Sequence, residues 1–287
     1  MGMRRLARQL LLITATVVLG GFLGATLVRW APGFAVDEAE LDPRLTKESL
    51  QALRQARGQE ENIYRFYGRY WARVVRGDLG VSRSLARPVR ELLAQRLPVT
   101  FRSVALGLLL GWLFGLALAL PAAMYRSRWY DLLTTVASGA FLCLPSTVLA
   151  LLLFSLRGAV PLVIGLVVFP KVFRYVRNLI VKSASLPHIL TAQAKGLGRT
   201  RILLWHVVPV IGPEILALAG VSVTLGFGAS IPVEVICGSP GIGQLAWLSA
   251  LSRDLPLLVN LTVLVTVVTL LANFLSDFTS MTLIRPQ

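Results

Sequence analysis

The chain has 287 residues, 55% of them hydrophobic and 15% charged, with a mean hydropathy of +0.69 and a formal net charge of +15. That apolar content exceeds the roughly 45–50% usual for soluble domains and points to a membrane protein with several spans. The basic residues lie in segments between apolar runs rather than on one soluble basic domain, which argues against nucleic acid as a partner, while two cysteines (Cys143 and Cys237) and two histidines (His188 and His206), none in a metal-ligand or disulfide spacing, leave little material for a metal site or imidazole catalysis.

In chain order, Arg4, Arg5 and Arg8 precede an uncharged stretch over 10–28, close to the roughly 20 residues that cross a bilayer and long for a signal peptide. It reads as a retained first span ending near Trp30. Within 31–97, segments 45–56 and 63–75 space their apolar residues as amphipathic helices do, and Gly77-Asp78-Leu79-Gly80 reads as a turn, so an external helical cap is expected. Pro88-Val89 opens a helical run through Leu92, Leu93 and Leu97, and Pro98 is expected to turn the chain into the second span. Further spans are expected at 101–125, 132–156, 158 to about 173, 211–236 and 256–283, six in all, with Pro145, Pro213 and Pro232 able to kink theirs. The expected fold class is therefore all-α and polytopic: leader and first span over 1–30, external segment over 31–97, and a core over 98–287 holding the other five spans.

Charge sets the orientation. With the N-terminus inside, the leader, the turn at Arg126 and Arg128, the long basic loop and the tail with Arg285 hold thirteen of the twenty-nine Lys and Arg residues, whereas the short outer connections hold Arg157 and Arg253. That imbalance puts both termini in the cytoplasm. Segment 31–97 carries twelve basic and nine acidic residues, but segments beyond roughly 60 residues cross largely regardless of charge.

The basic loop has no acid between Asp131 and Glu214, while Lys171, Arg174, Arg177, Lys182, Lys195, Arg199 and Arg201 fall there. Residues 189–195 suit about two helical turns, Gly196 the left-handed residue that ends them, and 199–208 a second short helix stopped by Pro209. Small side chains at Ala192 and Ala194 would admit a partner surface. After the fifth span, Pro240-Gly241 and Gly243 force an irregular turn, either a gate or outer-face contact or a simple tight connection. Glu234 and Asp277 lie in or near apolar runs, where an ionisable group faces a partner or a polar path, and Asn273 stands one helical turn from Asp277 as a polar packing pair. No Lys follows a Gly, so the ATP-binding loop G-x-x-x-x-G-K-[ST] is absent, and neither H-E-x-x-H nor G-x-S-x-G occurs.

The order Ala192-Gln193-Ala194-Lys195-Gly196-Leu197, then Pro209, resembles the EAA loop of ABC importer permeases in the form carried by the dipeptide, oligopeptide and nickel branch. Other blocks occur in the same order. Tyr70-Trp71 with Gly77-Asp78-Leu79-Gly80-Val81-Ser82 is similar to that family's external Gly-Asp-Leu-Gly-x-Ser block, and Ser239-Pro240-Gly241-Ile242-Gly243 with Arg253, Asp254 and Pro256 is similar to its Pro-Gly-x-Gly and Arg-Asp-x-Pro. Asn273 and Asp277 match Asn-x-x-x-Asp, and Glu234 matches the acidic position before the Pro-Gly block.

The resemblance implies a type I ABC importer permease fold and a permease subunit in the bacterial cytoplasmic membrane, paired with itself or a similar permease. An external solute-binding protein would deliver a peptide or related small solute. Two separate cytoplasmic ATPases would bind ATP and Mg and press on the loop at about 182–210, with Ala192, Ala194, Lys195, Gly196 and Leu197 at the contact. The chain itself would hold no cofactor and perform no catalysis. It departs from the family at Gln193, where Arg is usual, at His188-Ile189-Leu190, where an acidic-aromatic pair is usual, at 157–161, which leaves almost no external connection between the third and fourth spans, and at the C-terminus, which lacks the Asp-Pro-Arg ending. These departures keep a non-transporting, permease-like scaffold open as an alternative. A secondary transporter, the other alternative, calls for inverted repeats or ion-coupling charges at mid-membrane, which the sequence does not clearly offer.

Overall fold

The structure is a computed structural model that describes residues 2–30, 63–125 and 127–283. The expected helix over 45–56, Arg126 and the tail at 284–287 lie outside the described residues. The elements are α1 (Gly2–Trp30), α2 (Ile63–Val74), α3 (Val89–Tyr125), α4 (Arg128–Cys143), α5 (Ser146–Leu153), α6 (Ala159–Ser183), α7 (Pro187–Ala194), α8 (Arg199–Ile202), a π turn (Leu203–Val207), α9 (Val208–Ile236), α10 (Ile242–Leu251) and α11 (Leu255–Leu283). They form two compact units, Met1–Arg96 with Leu245–Val267, and Leu97–Gln244 with Val268–Gln287.

Among the described residues, four helices are long and apolar enough to cross a membrane, over Val89–Met124, Ala159–Ser183, Arg199–Ile236 and Leu255–Ser280. The pair α4 and α5 makes a fifth if it crosses as one, and α1 contributes a shorter apolar stretch, Leu11–Gly24. The expected continuous span at 132–156 is broken: α4 and α5 meet at 95°. Leu144 is extended there, because a proline ring pushes the preceding residue out of the helical region, and Pro145 itself is extended as the residue before α5. Pro213 and Pro232, by contrast, sit inside the unbroken α9.

Three other boundaries differ from the sequence reading. Pro98 does not turn the chain; α3 runs through it and through Pro121. The span expected to end near Phe173 continues ten residues further to Ser183, so Lys171, Arg174, Arg177 and Lys182 stand on a helix rather than in a loop. Its apolar stripe extends through Val172, Phe173, Val176 and Ile180, all buried at helical spacing, and that burial outweighs the charges between them. Pro209 does not stop a helix either. The Val208 N–H bonds back to the Leu203 carbonyl, five residues away, and this wide turn lets α8 pass into α9 with the N–H-less Pro209 in its first turn.

The larger unit is built around α6, whose Val163, Ile164, Val168, Val172 and Phe173 are fully buried. Gly107, Gly111 and Gly115 of α3 lie against Ile164, Val168 and Val172 so closely that a Cβ at any of them would come within 2.6–2.9 Å of those side chains. Small residues every fourth position thus let two spans pack at backbone distance. In the smaller unit, Tyr67 and Tyr70 of α2 pack with Leu255 and Val259 of α11 and with Val18 and Phe22 of α1. The Tyr67 hydroxyl donates to the Val18 carbonyl, and Gly21 leaves room for that ring.

Candidate functional sites

The loop after α6 is a capped helix rather than a loose connection. Gly196 is left-handed (φ 76°), its N–H donates to the Gln193 carbonyl, and the Leu197 N–H donates to the Ala192 carbonyl at 3.3 Å. These two bonds are a Schellman cap, and Ala192 and Leu197 supply its customary apolar contact by joining the same core. Ala192 and Ile189 therefore face inward, while Leu190, Ala194, Lys195 and Gly196 are exposed. Arg199 at the start of α8 donates to the Met124 carbonyl at 3.2 Å and so ties the loop to the end of α3, where unsatisfied carbonyls favour a cation. Leu204 and Trp205 in the π turn are also exposed, Trp205 at 75%.

The irregular turn after α9 closes over Glu234, which is fully buried. Thr100 Oγ1 donates to Glu234 Oε1 at 2.7 Å, and the Gly243 N–H donates to Oε2 at 2.7 Å. The Ile242 N–H in turn donates to Thr100 Oγ1 at 2.8 Å. Both oxygens of the carboxylate are thus used, and free N–H groups at the start of α10 are satisfied by side chains from α3 and α9. A Cβ at Gly241 would overlap the Glu234 carboxylate, and one at Gly243 would lie 2.5 Å from the Ile231 backbone. Glu234, Gly241 and Gly243 form one clasp, with Pro240 in the turn between them.

Asp254 forms a second clasp. It caps α11 by accepting from the Leu257 N–H at 3.2 Å, and its other oxygen accepts from Ser82 Oγ at 2.6 Å and from the Ser84 hydroxyl and N–H at 2.9 and 3.1 Å. Nearby, Asn260 Nδ2 donates to the Leu79 carbonyl at 3.0 Å. The Gly-Asp-Leu-Gly-x-Ser and Arg-Asp-x-Pro blocks, 172 positions apart at Ser82 and Asp254, therefore meet. Asn273 and Asp277 do not form the expected pair: Asn273 Nδ2 donates to Thr224 Oγ1 on α9 at 3.0 Å, and Asp277 is exposed.

Sequence reasoning missed Thr100, Ser82, Ser84 and Asn260 as partners, because ordinary polar residues carry no local signal of what lies across the fold. It also missed the ion pair between Arg177 on α6 and Asp131 on α4, whose guanidinium Nε donates to Oδ1 at 2.9 Å and Nη2 to Oδ2. The glycine series at 107, 111 and 115 did carry a readable signal, small residues four apart in an apolar run.

Residues 107–284, more than half of the chain, match the family described as binding-protein-dependent transport system inner membrane component. The chain belongs to this family. It is similar to the glutathione transport system permease protein GsiC of Escherichia coli O6:H1, with 28% identity over 88% of each chain, and to GsiC of Salmonella paratyphi A, with 27% identity over 94% of each. The fold is similar to a structure of the MetNI methionine ABC transporter in an inward-facing conformation, at a TM-score of 0.56 and 19% identity over 69% of this chain and 94% of that one. The protein is thus a transmembrane permease subunit of an ABC importer, a multi-pass component of the inner membrane that works with an ATPase and a binding protein.

Proposed function

We propose that the permease crosses the bilayer six times with both termini in the cytoplasm, pairs with a second permease, and imports a small peptidic solute handed over by an external binding protein. Two cytoplasmic ATPases bind ATP and Mg, and each permease receives their motion through α7. The Schellman-capped α7 carries this reading, because it fixes Ala192 and Leu197 in the core while offering Leu190, Ala194 and Lys195 outward. The cap fixes the end of α7 to the core, so a push on its outer face reaches the core through Ala192 and Leu197. The tie from Arg199 to the end of α3 gives the displacement a direct route to a span. The peptidic solute rests on the glutathione permeases that the chain resembles. Gly241 and Gly243 act in this scheme as the fixed end of an outer gate, anchored through Glu234.

Reconstitution of the permease with its ATPases and binding protein tests the scheme. Loaded binding protein is expected to stimulate ATP hydrolysis and to drive uptake of labelled dipeptides and tripeptides. Gly196→Val, whose backbone resists the left-handed conformation by about 1–2 kcal/mol, is expected to retain hydrolysis and lose most uptake. Uptake by that variant at the unaltered rate would remove Gly196 from the coupling.

A further inference from the structure

A cavity of about 650 Å³ opens in the smaller unit, walled by α2, the loop after it and the start of α11. Among the described residues lining it are four arginines, Arg69, Arg73, Arg76 and Arg83, and one acid, Asp78, whose Oδ1 already accepts the Gly80 N–H at 2.8 Å. The four guanidinium groups belong to exposed residues. Arg69, Arg73 and Arg76 follow helical spacing along one side of α2 and the turn beyond it, whereas Tyr67, Tyr70, Trp71 and Val74 occupy the other side and pack in the unit's core.

Depth in the bilayer decides what anion such a cavity meets. Pro256, in its wall, is the second residue of α11, a helix with the length and hydropathy of a span. The aromatic side of α2 lies on Val18 and Phe22 of the apolar stretch of α1. A short helix with aromatic rings turned toward spans and arginines turned away, at the end of a span, has the chemistry of the membrane interface. The abundant oxyanion at that level is lipid phosphate. Guanidinium groups grip phosphate oxygens in pairs, and the volume lies within the roughly 300–1,000 Å³ of small-ligand sites, more than one bare phosphate fills.

We propose that this cavity seats the headgroup of an anionic phospholipid, with Arg73 and Arg76 on its phosphate. The assignment goes beyond transport and does not depend on which solute is carried. Its test uses the full-length permease in phosphatidylcholine vesicles, reading the protein-bound fraction of spin-labelled phosphatidylglycerol against spin-labelled phosphatidylcholine. The unaltered protein is expected to prefer phosphatidylglycerol, and R73Q/R76Q to lower that preference by about tenfold or more. R73K/R76K, which keeps the charge but not the paired grip, should fall between the unaltered protein and R73Q/R76Q, and R174Q on α6 should keep all of it. The proposal is overturned by a preference that survives R73Q/R76Q, by an equal fall in R174Q, or by displacement of the bound lipid by inorganic phosphate, which would mark a free-anion site.

Discussion

Glycine and carboxylate are matched at the turn that follows α9. Glu234 accepts from Thr100 on one oxygen and from the Gly243 N–H on the other, and no side chain fits at 241 or 243 beside it. Gly243→Ala is therefore expected to destabilise the purified protein by about 1–3 kcal/mol, since its Cβ meets backbone, which cannot rotate away. Gly212→Ala in α9, where nothing lies within 4 Å, is expected instead to stabilise by about 0.5–1 kcal/mol. Thermal unfolding of the two variants in the same detergent checks the contrast; equal midpoints would show that the close approach at Gly243 carries no strain. The sequence displayed Glu234, Gly241 and Gly243 as separate oddities, a costly acid and a glycine turn. Their mutual fit depends on Thr100, 134 positions from Glu234, and no local pattern could announce it.

At the scale of elements, the hydrophobic period marks where helices form, but burial rather than charge or proline decides where they end. α6 outran its expected end because Phe173, Val176 and Ile180 are buried in spite of the cations among them. One of those cations, Arg177, is offset by Asp131 across the helix pair α4 and α6. Both side chains keep about 30% exposure (27% and 31%), so a double-mutant cycle of Arg177→Gln and Asp131→Asn is expected to give a coupling of about 0.5–1 kcal/mol that shrinks in high salt. A coupling of zero would reduce the pair to a surface contact. Prolines divide by surroundings: Pro145 breaks a helix, whereas Pro98, Pro121, Pro170, Pro213 and Pro232 are carried inside helices. Identical rings give opposite outcomes because the lost hydrogen bond and the ring's clash with the preceding turn, together about 3 kcal/mol or more, are weighed against the packing each helix would forfeit by ending.

For the whole molecule, the charge distribution predicts sidedness. In a background with Cys143 and Cys237 replaced by alanine, Lys195→Cys is expected to react with a membrane-impermeant maleimide only in inverted vesicles, and Arg83→Cys only in intact spheroplasts. Labelling of both from one side would overturn the proposed topology and, with it, the ATPase contact at α7. Class and family were legible in the chain alone, because apolar runs of bilayer length, the bias of Lys and Arg and the ordered Gly, Pro and Asp blocks are all one-dimensional properties. The left-handed Gly196 was legible for the same reason: its neighbours in sequence are its partners in the cap. Folding decided the rest. Which serines reach Asp254, which threonine reaches Glu234, how α3 fits against α6 through glycine and where four arginines surround one cavity are matters of distance between segments far apart in the chain, and hydrogen bonding and packing act on those distances rather than on sequence order.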